Sequence, residues 1–249
     1  MNHQQQKPLI IAHRGASRYA PENTLSAFKL AYEHGADGIE LDAKLTIDGE
    51  VVVIHDQTLD RTTGSPGRVI NKTLKQLKVL DAGSHFSEQF HGEKIPTLNE
   101  VFDLLGSKLL INVELTSYAS PGDALPEKVA QLVQKHGIEN NILFSTFHPT
   151  ILLRIKRLLP DVPAALLTGN GFIGFLGRSF IGRMLAPDLI HPFYTYATRD
   201  FISHQHDIHR KVNVWTVNSS QDIQRCITDQ VDGIITDDPP TAIRIRGGS

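Results

Sequence analysis

Five residues, Thr46-Ile47-Asp48-Gly49-Glu50, separate two apolar runs at Gly38–Leu45 and Val51–Ile54. A parallel crossover needs about a dozen residues or more. The two runs must therefore pair as an antiparallel hairpin, and Asp48-Gly49 supplies the turn chemistry. This fixes the count of the remaining strands. Further strand candidates are Leu9–Ala12, Leu109–Leu115, Ile142–Phe144, Ala164–Leu167, Leu189–His191, Val212–Val217 and Gly233–Ile235. Amphipathic stretches alternate with them near Asn23–His34, Leu98–Leu105, Pro126–His136, Thr150–Leu159, Ala197–His206 and Ser220–Thr228. Removing Val51–Ile54 from the parallel set leaves eight strands. In a chain of 249 residues that predicts an α/β fold, a distorted (β/α)₈ barrel with one extra antiparallel hairpin strand. An open doubly wound sheet is the competing architecture, but its GxGxxG fingerprint after the first strand is absent.

Residues 56–95 break the alternation, being polar and carrying Gly64, Pro66, Gly67, Gly83 and Gly92. They are expected to leave the barrel as an inserted excursion near its functional face. A single domain over 8–240 with a flexible tail at 241–249 completes the expected organisation. Apolar residues make up 40% of the chain, enough for a core that buries roughly three quarters of the unfolded surface. Basic and acidic residues number 25 and 27, for a net charge of -2, which argues against a general nucleic-acid binder. The single cysteine, Cys226, excludes an intramolecular disulfide or a cysteine-rich metal site. The N-terminal apolar run is too short for a secretion signal, and no span of 18 apolar residues occurs. A soluble, cytoplasmic protein is the expectation.

Candidate chemistry clusters at expected strand ends, where a barrel builds its site. His13-Arg14-Gly15 directly follows the first strand. Glu40 and Asp42 share one face of the second, about 7 Å apart along the chain. Two like charges facing inward are costly without a positive partner. A hard divalent cation or an arginine meets that need, unless both carboxylates reach solvent at the rim. His55-Asp56 closes the hairpin and returns to the same mouth, and Asp56 is placed to orient a histidine. Glu114, near the end of the next parallel strand, is a third carboxylate. His191 and Trp215 lie at late strand ends, where a tryptophan either walls a ligand or fills the core.

In order and spacing, His13-Arg14-Gly15, Pro21-Glu22-Asn23-Thr24, Glu40-Leu41-Asp42 and His55-Asp56 resemble the glycerophosphodiester phosphodiesterase family. Glu114, Trp215-Thr216-Val217-Asn218 and Asp232-Gly233-Ile234-Ile235-Thr236-Asp237 extend the resemblance, which runs from about Leu9 to Pro240. It implies a distorted eight-stranded barrel and a metal-dependent hydrolase. The substrate would be a small glycerophosphodiester, cleaved to glycerol 3-phosphate and an alcohol. Glu40, Asp42 and Glu114 would hold one divalent cation, calcium or magnesium, with manganese also admissible. His13 and His55 would be the acid/base pair, with His13 as base and His55 as acid. Arg14 would contact the phosphate, and Asn23 would belong to an active-site turn. Attack would come from the glycerol 2-hydroxyl, through a cyclic phosphate, or from water. Trp215 would line the pocket without a chemical role.

The chain departs from that pattern at one site position. Many relatives carry a lysine two positions after the third carboxylate, and Thr116 stands there. Strand alternation puts it on the side of Glu114, where it offers a hydrogen bond to substrate but no charge. Phosphate binding would then lean on Arg14 and the metal, or on another basic residue. The segment 169–185, rich in glycine and phenylalanine, is either an ordinary helix against the barrel or a greasy lip that admits a lysolipid or touches a membrane surface. The lip reading goes with an alternative activity, lysophospholipase D-like cleavage of lysophospholipids. A non-catalytic phosphate-ligand binding protein is the alternative of another class. No nucleic-acid or protein partner is predicted.

Overall fold

The computed structural model describes residues 7–116, 122–169, 185 and 187–248. The strands are β1 (Leu9–His13), β2 (Gly38–Leu45), β3 (Val51–Val53), β4 (Leu110–Leu115), β5 (Ile142–Thr146), β6 (Ala164–Thr168), β7 (Leu189–Pro192), β8 (Lys211–Val214) and β9 (Gly233–Thr236). They hydrogen-bond in the order β1-β9-β8-β7-β6-β5-β4-β2-β3, and β1 also pairs with β2. Eight parallel strands thus close a ring, and β3 lies outside it, antiparallel to β2. One flank of β2 is shared. The β1 pairing ends at His13–Glu40, and β3 takes over from Ala43–Val53 to Leu45–Val51. The hairpin therefore carries its chain to the mouth of the barrel rather than to a ninth place in the ring.

Alternation along the strands separates two interiors. Outward residues such as Ile39, Leu41, Ala43, Ile111 and Val113 pack with Phe28, Phe102 and Val129 of the surrounding helices. Inside the ring, Leu143, Ala165 and Leu189 form a small apolar layer with Leu110 against it. Helix starts follow capping chemistry. Thr24 accepts from the Ala27 amide before the helix Leu25–Glu33. Thr97 and Glu100 form a reciprocal capping box before Leu98–Leu105.

Residues 56–95 carry two short helices, Asp60–Thr63 and Leu74–Lys78, and turns of 3₁₀ helix at Val69–Asn71 and Glu88–Phe90. Ile54, Leu59, Val69, Leu77 and Ile95 give this stretch a small core of its own. The chain end corrects the expected tail at 241–249. Pro239–Gly247 is a helix, started by prolines in its first turn and capped by Asp238, which accepts from the Thr241 amide at 3.2 Å. Ala242 is buried, and Arg246 ties the helix to the Pro8 carbonyl at 3.0 Å and to Asp37. The strand expected over Val212–Val217 is also shorter. The regular strand ends at Val214; Trp215 keeps one isolated parallel bridge to Phe193, and its indole donates to the His191 carbonyl at 2.8 Å. Of the segment 169–185, only Gly169 and Leu185 fall within the described residues, so the lip lies outside them.

Candidate active site

The loop after β1 turns back sharply over β2. Arg14 and Gly15 both have left-handed backbone, with φ of 55° and 84°. A Cβ on Gly15 would lie 2.7 Å from Ala27, so glycine is required by conformation and by space. The turn brings the Arg14 amide to Glu40 Oε2 at 3.0 Å and its Nη1 to Glu22 Oε1 at 2.9 Å. Its Nε lies 3.4 Å from Asp42 Oδ2. Burial opposes the guanidinium charge, but Asp42, Glu22 and Glu40 outweigh it and hold the pKa above the ordinary value. Asn23, also left-handed at φ 57°, donates to Asp42 Oδ2 at 2.8 Å and accepts from the Asp42 amide at 3.3 Å. Both ends of its side chain thus serve Asp42.

Glu40, Asp42 and Glu114 converge inside the mouth, each offering an oxygen within 4.8 Å of the others. Glu40 and Asp42 are buried. Burial, with the charges of Asp42 and Glu114 beside it, pushes the Glu40 carboxyl well above its usual range. Three oxygen donors at this spacing suit a hard divalent cation, whose charge relieves the repulsion. The donor set fits such an ion.

Both histidines are anchored through Nδ1. His13 Nδ1 lies 2.6 Å from Asp237 Oδ1, and His55 Nδ1 lies 2.8 Å from Asp56 Oδ1. Asp237 is held by Asn218 Nδ2 at 2.6 Å and Ser17 Oγ at 3.1 Å. Burial works against its charge, but the bonds from His13, Asn218 and Ser17 prevail and lower its pKa. Asp56 is gripped by Arg61, whose Nε donates at 2.7 Å, and its pKa falls to about 2. Arg61 also clasps Glu22 through both terminal nitrogens at 2.7 Å. Burial alone would raise the Glu22 pKa, but Arg61 and Arg14 bring it down to about 2. A chain of ion pairs, Arg14–Glu22–Arg61–Asp56, continued by the hydrogen bond between Asp56 and His55, therefore joins the two sides of the mouth.

Thr116 is buried, and its hydroxyl both donates and accepts within the protein. It donates to the Ala43 carbonyl at 2.7 Å and accepts from Lys44 Nζ at 2.6 Å. Trp215 meets Phe147 and Phe193 edge-on at ring-centre distances of 5.5 Å and forms an aromatic wall. His191 lies deeper in the barrel, fully buried, accepting at Nε2 from the Asn213 amide at 3.1 Å. Desolvation lowers its pKa to about 3, so it stays neutral. From the sequence, Glu22 and Asp237 appear only within the resembling motifs, with no role of their own, and Arg61 and Lys44 have no place. Asp237 directly follows β9, and Lys44 continues the face of Glu40 and Asp42, so both carried a signal. Among the described residues no helix is long and apolar enough to cross a membrane.

A carboxylate triad with two of its members buried asks for a cation, and the arginine and anchored histidines beside it suit an anion that is to be cleaved. Together they define a phosphoester hydrolase built on a parallel barrel. A model of the glycerophosphoryl diester phosphodiesterase family matches residues 13–241. The glycerophosphodiester phosphodiesterase of Caldanaerobacter subterraneus subsp. tengcongensis is 43% identical over 97% of this chain and 100% of that protein. That of Bacillus altitudinis is 38% identical over 95% of this chain and 97% of its own. The structure of an Oleispira antarctica phosphodiesterase, in complex with the product sn-glycerol-3-phosphate, superposes with a TM-score of 0.86 at 28% identity, covering 97% of each chain. The chain belongs to the glycerophosphoryl diester phosphodiesterase family, as an enzyme that hydrolyses glycerophosphodiesters.

Proposed function

We propose that the mouth residues cleave the phosphodiester of a small glycerophosphodiester, releasing sn-glycerol 3-phosphate and an alcohol, with Glu40, Asp42 and Glu114 holding one calcium, magnesium or manganese ion. The observation that carries this reading is the convergence of the triad with Arg14, which leaves places for a cation and an anion side by side. When bound, the ion supplies Lewis-acid polarisation of a phosphate oxygen and neutralises developing charge. Arg14 turns its remaining N–H groups toward the phosphate, and Asn23 fixes the Asp42 carboxylate.

The histidines handle protons. With Nδ1–H donated to Asp237, the Nε2 of His13 is left as an acceptor. A proton arriving there from the attacking hydroxyl oxygen is met by a carboxylate whose other side-chain partners are neutral, Asn218 and Ser17. Asp56 already shares its charge with Arg61, which favours His55 as the group that protonates the leaving alkoxide. Trp215 shapes the wall of the pocket, and Thr116 acts through Lys44.

The test is to strip the protein with EDTA and assay release of glycerol 3-phosphate from glycerophosphocholine, then restore calcium, magnesium or manganese separately. Activity lost and then regained with an ion is the expected result. Full activity after complete stripping would overturn the triad's assignment, and no turnover with any ion would overturn the substrate class.

A further inference from the structure

Lys44 is a buried cation with unspent donors. It lies two residues beyond Asp42 on the same face of β2, about 7 Å nearer the C-terminal mouth. It is 5% exposed. Its ammonium has three N–H groups. Among the described residues it makes one hydrogen bond, to Thr116 Oγ1, and no ion pair within 4.0 Å. The Thr116 hydroxyl, anchored on the Ala43 carbonyl, fixes where that ammonium sits. Burying a charge with most of its donors idle is costly unless a ligand completes it. Arg14 differs in being ion-paired already, with Nη1 bound to Glu22 and Nε 3.4 Å from Asp42, while its backbone amide serves Glu40.

The charge balance points the same way. The three triad carboxylates are matched by a dication together with Arg14, but Glu22, Asp56 and Asp237 outnumber Arg61 around them, so without Lys44 the mouth is net negative. Lys44 adds a buried positive charge where a phosphodiester monoanion would otherwise meet an excess of carboxylates. We propose that Lys44 is the principal phosphate-binding cation of this site, donating to a non-bridging oxygen of the substrate, with Thr116 as its positioning residue. This rests on the reading that the mouth binds a glycerophosphodiester.

The experiment compares wild type, Lys44→Met, Lys44→Arg and Thr116→Val with calcium, magnesium or manganese present. It measures kcat and KM for glycerophosphocholine, the inhibition constant of glycerol 3-phosphate, and divalent cation affinity by calorimetry. For Lys44→Met, KM and the inhibition constant should rise together by about tenfold or more, the loss of one charge-assisted hydrogen bond, without weaker cation binding. Lys44→Arg should recover part of that loss. Thr116→Val keeps the ammonium and removes its acceptor, so a smaller rise in both constants is expected. It carries the test if Lys44→Met does not fold. Unchanged constants in an active Lys44→Met enzyme, or in Thr116→Val where the former does not fold, would overturn the assignment alone. So would a fall in kcat with an unaltered inhibition constant. Wild type that neither cleaves the diester nor binds glycerol 3-phosphate would overturn the underlying reading and this one with it.

Discussion

His13 Nδ1 donates to Asp237 Oδ1 at 2.6 Å, so its Nε2 faces the triad as an acceptor, 4.0 Å from Glu40 Oε2. The carboxylate that sets this tautomer comes from the far end of the chain, directly after β9, the strand that pairs with β1. Replacing Asp237 with Asn leaves the packing in place but lets the amide present the wrong partner to Nδ1. The expected outcome is a fall in kcat of about 100-fold, with KM and cation affinity little changed. Steady-state kinetics with calorimetry on the variant checks it, and wild-type kcat would remove Asp237 from the machinery.

Glu40 is held above the ordinary carboxylate range by burial and by Asp42 and Glu114. A group whose folded pKa is raised contributes stability below its unfolded pKa and loses it as pH rises through the folded value. As pH rises above about 4.5 the metal-free fold therefore loses stability at Glu40. Glu40→Gln should raise the melting temperature of metal-free protein at pH 7, with the gain shrinking toward pH 4. The same variant should lose at least about tenfold in divalent cation affinity. For wild type, saturation with cation at 100 times Kd should add about 2.7 kcal/mol of stability. Thermal melts at two pH values, with and without cation, decide all three. A metal-free variant less stable than wild type at pH 7 would contradict the electrostatic account.

Much of this site was legible because strand geometry is regular. The short link after Leu45 dictated the hairpin, and alternation put Glu40 and Asp42 on one face of β2. The same alternation applies to Lys44, whose charge reads as a solvated edge residue until the fold covers it. Arg61 was not readable. It reaches Glu22 and Asp56 because the irregular path of residues 56–95 folds back over the mouth, and no periodicity encodes that path. The last helix was missed because Pro239-Pro240 looks like a terminator, whereas proline in a first turn starts a helix. Asn23 shows a subtler gap. Its motif marked it as part of the site, but only the structure shows both ends of its amide spent on Asp42.

Arg61 couples acid stability to the site. Glu22 and Asp56 are each held at about 2 in the folded protein, against 4.5 and 3.8 ordinarily. Carboxylates with depressed folded pKa values give stability that is present above the unfolded pKa and lost as pH falls toward the folded one. The window is therefore about pH 4.5 down to about 2. For Glu22, whose side chain is 18% exposed, the contribution is on the order of 2–3 kcal/mol. Arg61→Gln should remove most of it, moving the acid-unfolding midpoint to higher pH, and should lower kcat by loosening Asp56 against His55. Acid titration followed by circular dichroism measures the shift, and a midpoint identical to wild type would refute the coupling.

His191 titrates with the opposite consequence for its own charged form. It is fully buried, and desolvation puts its pKa at about 3 against 6.5 ordinarily. Below pH 6.5 the unfolded chain binds a proton that the native protein refuses, so native stability falls from pH 6.5 down to about 3. By pH 4.5 that loss should be roughly 2–3 kcal/mol. His191→Gln keeps an acceptor for the Asn213 amide but has no ring to protonate. It should cost about 1 kcal/mol or more at pH 7, where the imidazole packs best, and that deficit should shrink or reverse at pH 4.5. Urea denaturation of both proteins at the two pH values makes the comparison. A deficit of constant size at both would show that His191 takes up its proton in the native state and that Asn213 does not hold it neutral.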